Sequence, residues 1–195
     1  MVRIAGVDEV GMGPLAGPVV AAAVVLPPGT RIDGLRDSKL LSARARERLD
    51  REIRSRALCY AVGYVGPAEV DRLNVYRAGL LAMRLAVESL GAPPQIALID
   101  GRRVPELELE QRMVVGGDRK VGSIAAASIL AKVWRDRYML ELDAYYPDYG
   151  FARNSGYGTA EHLGALSRRG PSPVHRSSFG PVRRAPAGRG VPEGV

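Results

Sequence analysis

Four carboxylates stand where chain geometry could gather them. Asp8 and Glu9 close the apolar run that starts at Val2, Asp100 closes the apolar run 95–100, and Asp118 follows Gly116-Gly117. Ligands of open α/β sheets bind beyond the carboxyl ends of the strands. If the two runs are parallel neighbours, Asp8 and Asp100 sit side by side at such an edge, and Asp118 could reach it. Carboxylates this close raise one another's pKa, so either they stay apart or they hold a divalent cation. An oxygen-only set, without paired His or Cys, favours Mg2+ or Mn2+ over zinc. Consecutive residues of a regular strand face opposite sides, so Asp8 and Glu9 can serve together only if the strand bends there. Gly11 and Gly13 permit that bend. Helix capping and ordinary surface roles for these acids stay open at this level.

The glycine-rich segment Gly11-Met12-Gly13-Pro14-Leu15-Ala16-Gly17 is poorly suited to phosphate cradling. It lacks Gly-Lys-Ser/Thr, and its third glycine comes one position late for a dinucleotide fingerprint. The two carboxylates before it would also repel a phosphate. A turn whose bare backbone can approach a nucleic-acid strand suits it better.

The elements that must position these residues follow from pattern and punctuation. Strands are expected at 2–9, 19–26, 57–65, 95–100 and 113–115, bounded by Gly and Pro. Ser42 could cap a helix reaching about Arg56, and a second helix spans about 75–90. From Ser123, apolar residues recur at spacings of three and four as far as Leu142, which marks a long amphipathic helix. Thr159 could cap a last helix through Leu166. Strands first, then alternation with helices, indicates an α/β or α+β domain with a mixed sheet. The expected organisation is a catalytic domain over 1–146, a substrate-binding extension packed on it over 147–183, and a mobile tail over 184–195.

Composition narrows the partners. The 195 residues carry 28 Lys+Arg against 21 Asp+Glu, a formal charge of +7. Lysine occurs only at 39, 120 and 132, so 25 of the cations are arginines. A basic domain suggests a polyanionic partner. One cysteine, Cys59, excludes an internal disulfide framework and a Cys-rich zinc site. The longest apolar stretch, Pro14 to Pro28, is shorter than the roughly 20 residues that span a bilayer. A cytoplasmic protein, monomeric and not associated with membranes, is the expectation.

Six blocks of the chain, in order, resemble bacterial ribonuclease HII. They are residues 6–19 (Gly6-Val7-Asp8-Glu9 through Gly17-Pro18-Val19), Asp37-Ser38-Lys39, Leu98-Ile99-Asp100-Gly101, 126–136, Gly156-Tyr157-Gly158-Thr159 with His162, and Arg176-Ser177-Ser178-Phe179-Gly180-Pro181-Val182. The resemblance implies a ribonuclease H-like fold: a five-stranded mixed sheet flanked by helices, with a C-terminal helical extension. It also implies an endonuclease acting on RNA–DNA hybrids and on ribonucleotides embedded in duplex DNA. Asp8, Glu9, Asp100 and Asp118 correspond to the catalytic, metal-holding acids of that family, with Mg2+ or Mn2+ in a two-metal mechanism. Asp136 is a weaker candidate, supporting the acids or purely structural.

The same resemblance places Gly11, Met12, Gly13 and Tyr157 against the ribose 2′-hydroxyl, the group that distinguishes RNA from DNA. Lys39 and the arginines of the last quarter are expected on phosphates. His162 and His175 are expected to be structural, and Trp134 to be core. No sliding-clamp-binding motif is evident at the C-terminus. Three departures stand out: Met12, Gly116 and Ser155 occupy positions where the family usually carries a cation. They motivate two competing expectations, a weakly active or non-catalytic nucleic-acid-binding relative and another nuclease of the superfamily, such as a junction resolvase.

Overall fold

Five strands form one mixed sheet in the computed structural model, which describes residues 2–35 and 41–187. The strands are β1 (Ile4–Val10), β2 (Val19–Val25), β3 (Cys59–Val65), β4 (Ile96–Asp100) and β5 (Glu110–Val114), in the order β3-β2-β1-β4-β5. β1 runs antiparallel to β2 and parallel to β4. The helices are α1 (Ala43–Arg56), α2 (Pro67–Leu73), α3 (Val75–Glu88), α4 (Gly122–Tyr145), α5 (Phe151–Asn154), α6 (Ala160–Arg169) and α7 (Gly180–Arg183). Ser42 and Thr159 cap α1 and α6, each accepting a backbone N–H from three residues on.

Alternation along β2 sorts the core into two layers. Val19, Ala21, Ala23 and Val25 pack toward α3 with Ala78, Ala82 and Ala86. Val20, Ala22 and Val24 pack toward α1 and α4 with Leu49, Ile53, Ala127 and Leu130. A third cluster, around Met139, Tyr149, Phe151 and Leu166, seats the C-terminal helices on the end of α4. Every residue of β2 is buried, because helices cover both faces of the sheet's centre.

The distance between β1 and α4 is set by Gly6. A Cβ there would collide with the backbone of Ser123 and Ile124 at the start of α4. Gly6→Ala is therefore expected to push α4 off the sheet at a cost of about 1–3 kcal/mol. A thermal melt of the variant checks this, and an unchanged Tm would refute it.

Two elements differ from their sequence expectation. β5 begins at Glu110, three residues earlier than the apolar signal at Met113, because Glu110 and Arg112 are exposed on an edge strand. α2 was not expected; Gly66 and Pro67 read as the end of β3, yet Pro67 also opens the seven-residue helix. Of the tail expected from 184, Ala185 packs against the third cluster, and residues 188–195 lie outside the described residues.

Candidate active site

Parallel pairing brings the first two acids together. β1 and β4 register Val7 with Ile99, so Asp8 and Asp100 follow side by side at the carboxyl edge. A left-handed glycine at Gly116 then turns the chain back after β5, and the Gly117 N–H donates to Asp100 Oδ1 at 3.0 Å. That bond sets Asp118 over the same edge. Asp8, Asp100 and Asp118 each offer an oxygen within 4.8 Å of the others, and Asp8 and Asp118 are buried.

Glu9 takes the other face. Asp8 is held by α4, through Ser128, whereas the side chain of Glu9 lies toward Gly79 on α3. With Asp100, Met12 and Gly79 it lines a cleft of about 280 Å³. Asp100 thus belongs both to the aspartate cluster and to the cleft, and it links Glu9 to Asp8 and Asp118.

Burial holds the Asp8 carboxyl well above the ordinary carboxylate range. Repulsion from Glu9 and Asp100 adds to this, while hydrogen bonds from Ser128 and the Glu9 N–H oppose it. A buried all-oxygen set under that strain fits a hard divalent cation, whose charge would offset both desolvation and repulsion. Asp136 stands elsewhere. It sits two turns further along α4, where Arg46 and Lys132 ion-pair with it and tie α1 to α4.

The turn after β1 rests on two buried arginines. Arg135, on α4, donates to the carbonyls of Ala16, Pro18 and Ser155 at 3.0–3.1 Å. Arg176 donates to Gly11, Met12 and Gly17 at 2.7–3.3 Å. Burial depresses both guanidinium pKa values, that of Arg176 to about 9 with help from the charge of Arg135. Gly11 makes the support possible: its φ is +89° and a Cβ would strike Arg135 and the Pro18 carbonyl. Because a trans peptide sets its N–H opposite its C=O, the amides of Met12 and Gly13 point away from Arg176.

Arg176 corrects one part of an expectation. Arg176 grips peptide carbonyls, not phosphate, and Arg153 and Arg169 pair with Glu161 and Asp148. Lys39, expected on phosphate, lies outside the described residues.

Tyr157 reaches the turn from the extension. Its ring lies 3.6 Å from where a Gly13 Cβ would stand, and it is exposed. Behind it runs a buried histidine relay. Nδ1 of His175 accepts the Ser172 N–H at 3.0 Å, so its Nε2 carries the proton and donates to His162 Nε2 at 2.9 Å. His162 Nδ1–H then donates to the Tyr157 carbonyl at 2.9 Å. Both histidines are structural, as expected.

Burial lowers the pKa of each ring, that of His175 to about 4 with repulsion from His162 adding to it. The unfolded chain, with histidine pKa near 6.5, therefore binds more protons between pH 6.5 and 4. Stability should fall as pH drops through that window, by about 2 kcal/mol at pH 5 relative to pH 7.5 for His175 alone. Urea unfolding of wild type and His175→Asn at both pH values checks this. Equal losses in the two proteins would rule the relay out as the cause.

The three missing cations have distinct settings. Met12 folds inward, its Sδ seated where Gly79 has no side chain. Arg119 covers Gly116 and stands 3.9 Å from Asp118. Ser155, left-handed at φ +47°, donates its hydroxyl to Asp136 at 3.5 Å. Trp134, expected in the core, is half-buried and stacks between Tyr64 and Tyr138, with centroids 5.1 and 5.3 Å away.

The ribonuclease HII family profile matches residues 5–182. A ribonuclease HII of Albidiferax ferrireducens is 56% identical over 179 residues, 92% of this chain and 86% of the relative. One from Desulfitobacterium hafniense is 54% identical over 182 residues, 93% and 70% of the two chains. Among solved structures, ribonuclease H2 from Pyrococcus horikoshii OT3 superposes with a TM-score of 0.77 at 27% identity, covering 93% of this chain and 96% of that one. A chain of the PCNA:RNase HII complex from Archaeoglobus fulgidus gives 0.65 at 30% identity, covering 86% and 88%.

Proposed function

The chain belongs to the ribonuclease HII family, and from that premise we propose that it is an endonuclease that hydrolyses the RNA strand of RNA–DNA hybrids. We further propose that it incises duplex DNA on the 5′ side of embedded ribonucleotides, leaving 5′-phosphate and 3′-hydroxyl ends. The observation that carries this reading is the convergence of Asp8, Asp100 and Asp118 within 4.8 Å at a sheet edge flanked by the glycine turn.

Asp8, Asp100 and Asp118, with Glu9 across the edge, would hold Mg2+ or Mn2+. Bound divalent metal supplies Lewis-acid charge stabilisation and a nucleophile from water at neutral pH. The protein's own part is selection and placement. The outward amides of Met12 and Gly13 can donate to a 2′-hydroxyl, and the glycines leave room for the strand to approach. The Tyr157 ring beside Gly13 packs on the adjoining sugar, held in place by the histidine relay through its carbonyl. Ribonucleotide removal during DNA repair and replication is the role that such chemistry fits. Among the described residues no helix is long and apolar enough to cross a membrane.

The test is cleavage of three labelled duplexes: an RNA–DNA hybrid, DNA with one ribonucleotide, and all-DNA. Cutting of the first two with Mg2+ or Mn2+, and none with EDTA, is expected. Binding without a cut would favour a non-catalytic relative, and cutting of a branched all-DNA substrate would favour a resolvase.

A further inference from the structure

The cleft beside Glu9 is acidic on its floor and, among the described residues, has no cation on the side of the turn. Glu9 and Asp100 contribute two carboxylates, and Met12 faces Gly79 with its thioether. A nucleic-acid strand entering there brings further negative charge. On the opposite rim stand Tyr76, in the first turn of α3, and Arg102, two residues beyond the end of β4. The Arg102 guanidinium carbon lies 5.0 Å from the centroid of the Tyr76 ring, and both side chains are exposed.

Several surface arginines spend their charge on the protein itself. Arg72, Arg84, Arg112, Arg153 and Arg169 all pair with carboxylates on the protein surface. Arg102, two residues from Asp100, has no carboxylate within ion-pairing distance among the described residues. The ring contact and a hydrogen bond to the Tyr76 hydroxyl together restrain the guanidinium, and its remaining N–H groups are open to an oxyanion. An ordered cation whose charge is not spent internally, at the mouth of an acidic cleft, is built to receive a phosphate.

We propose that Arg102, held against the Tyr76 side chain, binds a backbone phosphate of the nucleic acid in the cleft and supplies there the cationic contact that Met12 does not. The proposal rests on the nuclease reading above. Its occupant is a phosphodiester and not a base, because the contact lies at the rim and offers charge without a pocket.

The experiment is fluorescence anisotropy of the one-ribonucleotide duplex in EDTA across 50–200 mM salt, with steady-state cleavage alongside. Arg102→Gln should weaken binding roughly 5- to 10-fold at low salt. The log–log salt slope should fall by about 0.9, the value for one phosphate contact. KM should rise while kcat changes little. Tyr76→Phe, which keeps the ring but loses the hydroxyl contact, should keep most of the wild-type slope, and Tyr76→Ala should lose more of it. Arg51→Gln, an exposed arginine of α1 on the other side of the sheet, controls for net charge and should change neither value. Adding Met12→Arg to Arg102→Gln should restore the slope.

An unaltered slope in Arg102→Gln, or an equal loss in Arg51→Gln, overturns the proposal. Failure of the nuclease reading looks different: wild type then binds but does not cut, while the slope still reports on Arg102.

Discussion

Asp8→Asn should lower cleavage at least about 100-fold, the upper range for losing even an outer partner of a metal site, and should raise the Tm of the metal-free protein. The two effects have one cause. Burial and the neighbouring carboxylates disfavour the charged form of Asp8 in the folded state, so its folded pKa lies above its unfolded value. At neutral pH that carboxylate therefore opposes folding, and a neutral amide of the same shape removes the opposition. The same substitution removes the negative charge of one of the three carboxylates that converge within 4.8 Å. Wild type should gain Tm on adding Mn2+ or Mg2+ by mass action, and Asp8→Asn should gain much less. A variant that keeps both its cleavage rate and its metal-induced shift would refute the assigned site.

The second large effect is expected at Arg176. Arg176→Met strands the buried carbonyls of Gly11 and Gly17 and the half-buried carbonyl of Met12. Each unsatisfied carbonyl costs about 1–3 kcal/mol. Part of that is offset, because the guanidinium itself was costly to bury, as its depressed pKa records. A net loss of about 3–5 kcal/mol is expected from the three carbonyls together. Arg176→Lys should recover only part, since a single ammonium cannot fork to three acceptors. Urea denaturation measures the loss, and a change below about 1 kcal/mol would contradict the carbonyl count. Cleavage by the surviving folded fraction should show a raised KM, because the amides of Met12 and Gly13 lose their alignment.

The acids were legible in the sequence because strand ends are written in it. Apolar runs closed by Asp8 and Asp100 announce buried strands, and the parallel pairing that the sequence left as a condition is met in the structure. The alternation rule also put Asp8 and Glu9 on opposite faces, which the structure bears out with α4 behind one and α3 beside the other. The blocks that resemble ribonuclease HII added order and spacing to that pattern, and the family match agrees.

Arginine was the residue type that sequence misjudged. A count of charge assigns Arg153, Arg169 and Arg176 to phosphates, since nothing local tells a guanidinium that has a partner in the protein from one that does not. The partners of Arg153 and Arg169 lie 8 and 21 residues away, and Arg176 meets carbonyls 159–165 residues away. Arg102 shows the reverse case. Its aromatic partner, Tyr76, is brought to it only by the packing of α3 on the sheet. β5 was misread at Glu110 for a related reason, because an edge strand need not hide its charges.

The long reach of Arg176 also imposes an order on the making of the enzyme. The turn that carries Gly11 to Gly17 leaves the ribosome first, yet the side chain that fixes its carbonyls comes 159–165 residues later. At about 5–20 residues per second, that interval lasts roughly ten to thirty seconds. During it the aspartates of β1 and β4 can already be paired while the turn beside them is still unsecured. Nuclease competence should therefore arrive late in translation, well after the sheet. A nascent chain stalled before residue 176 would carry the acids of a nuclease without its means of choosing a ribose.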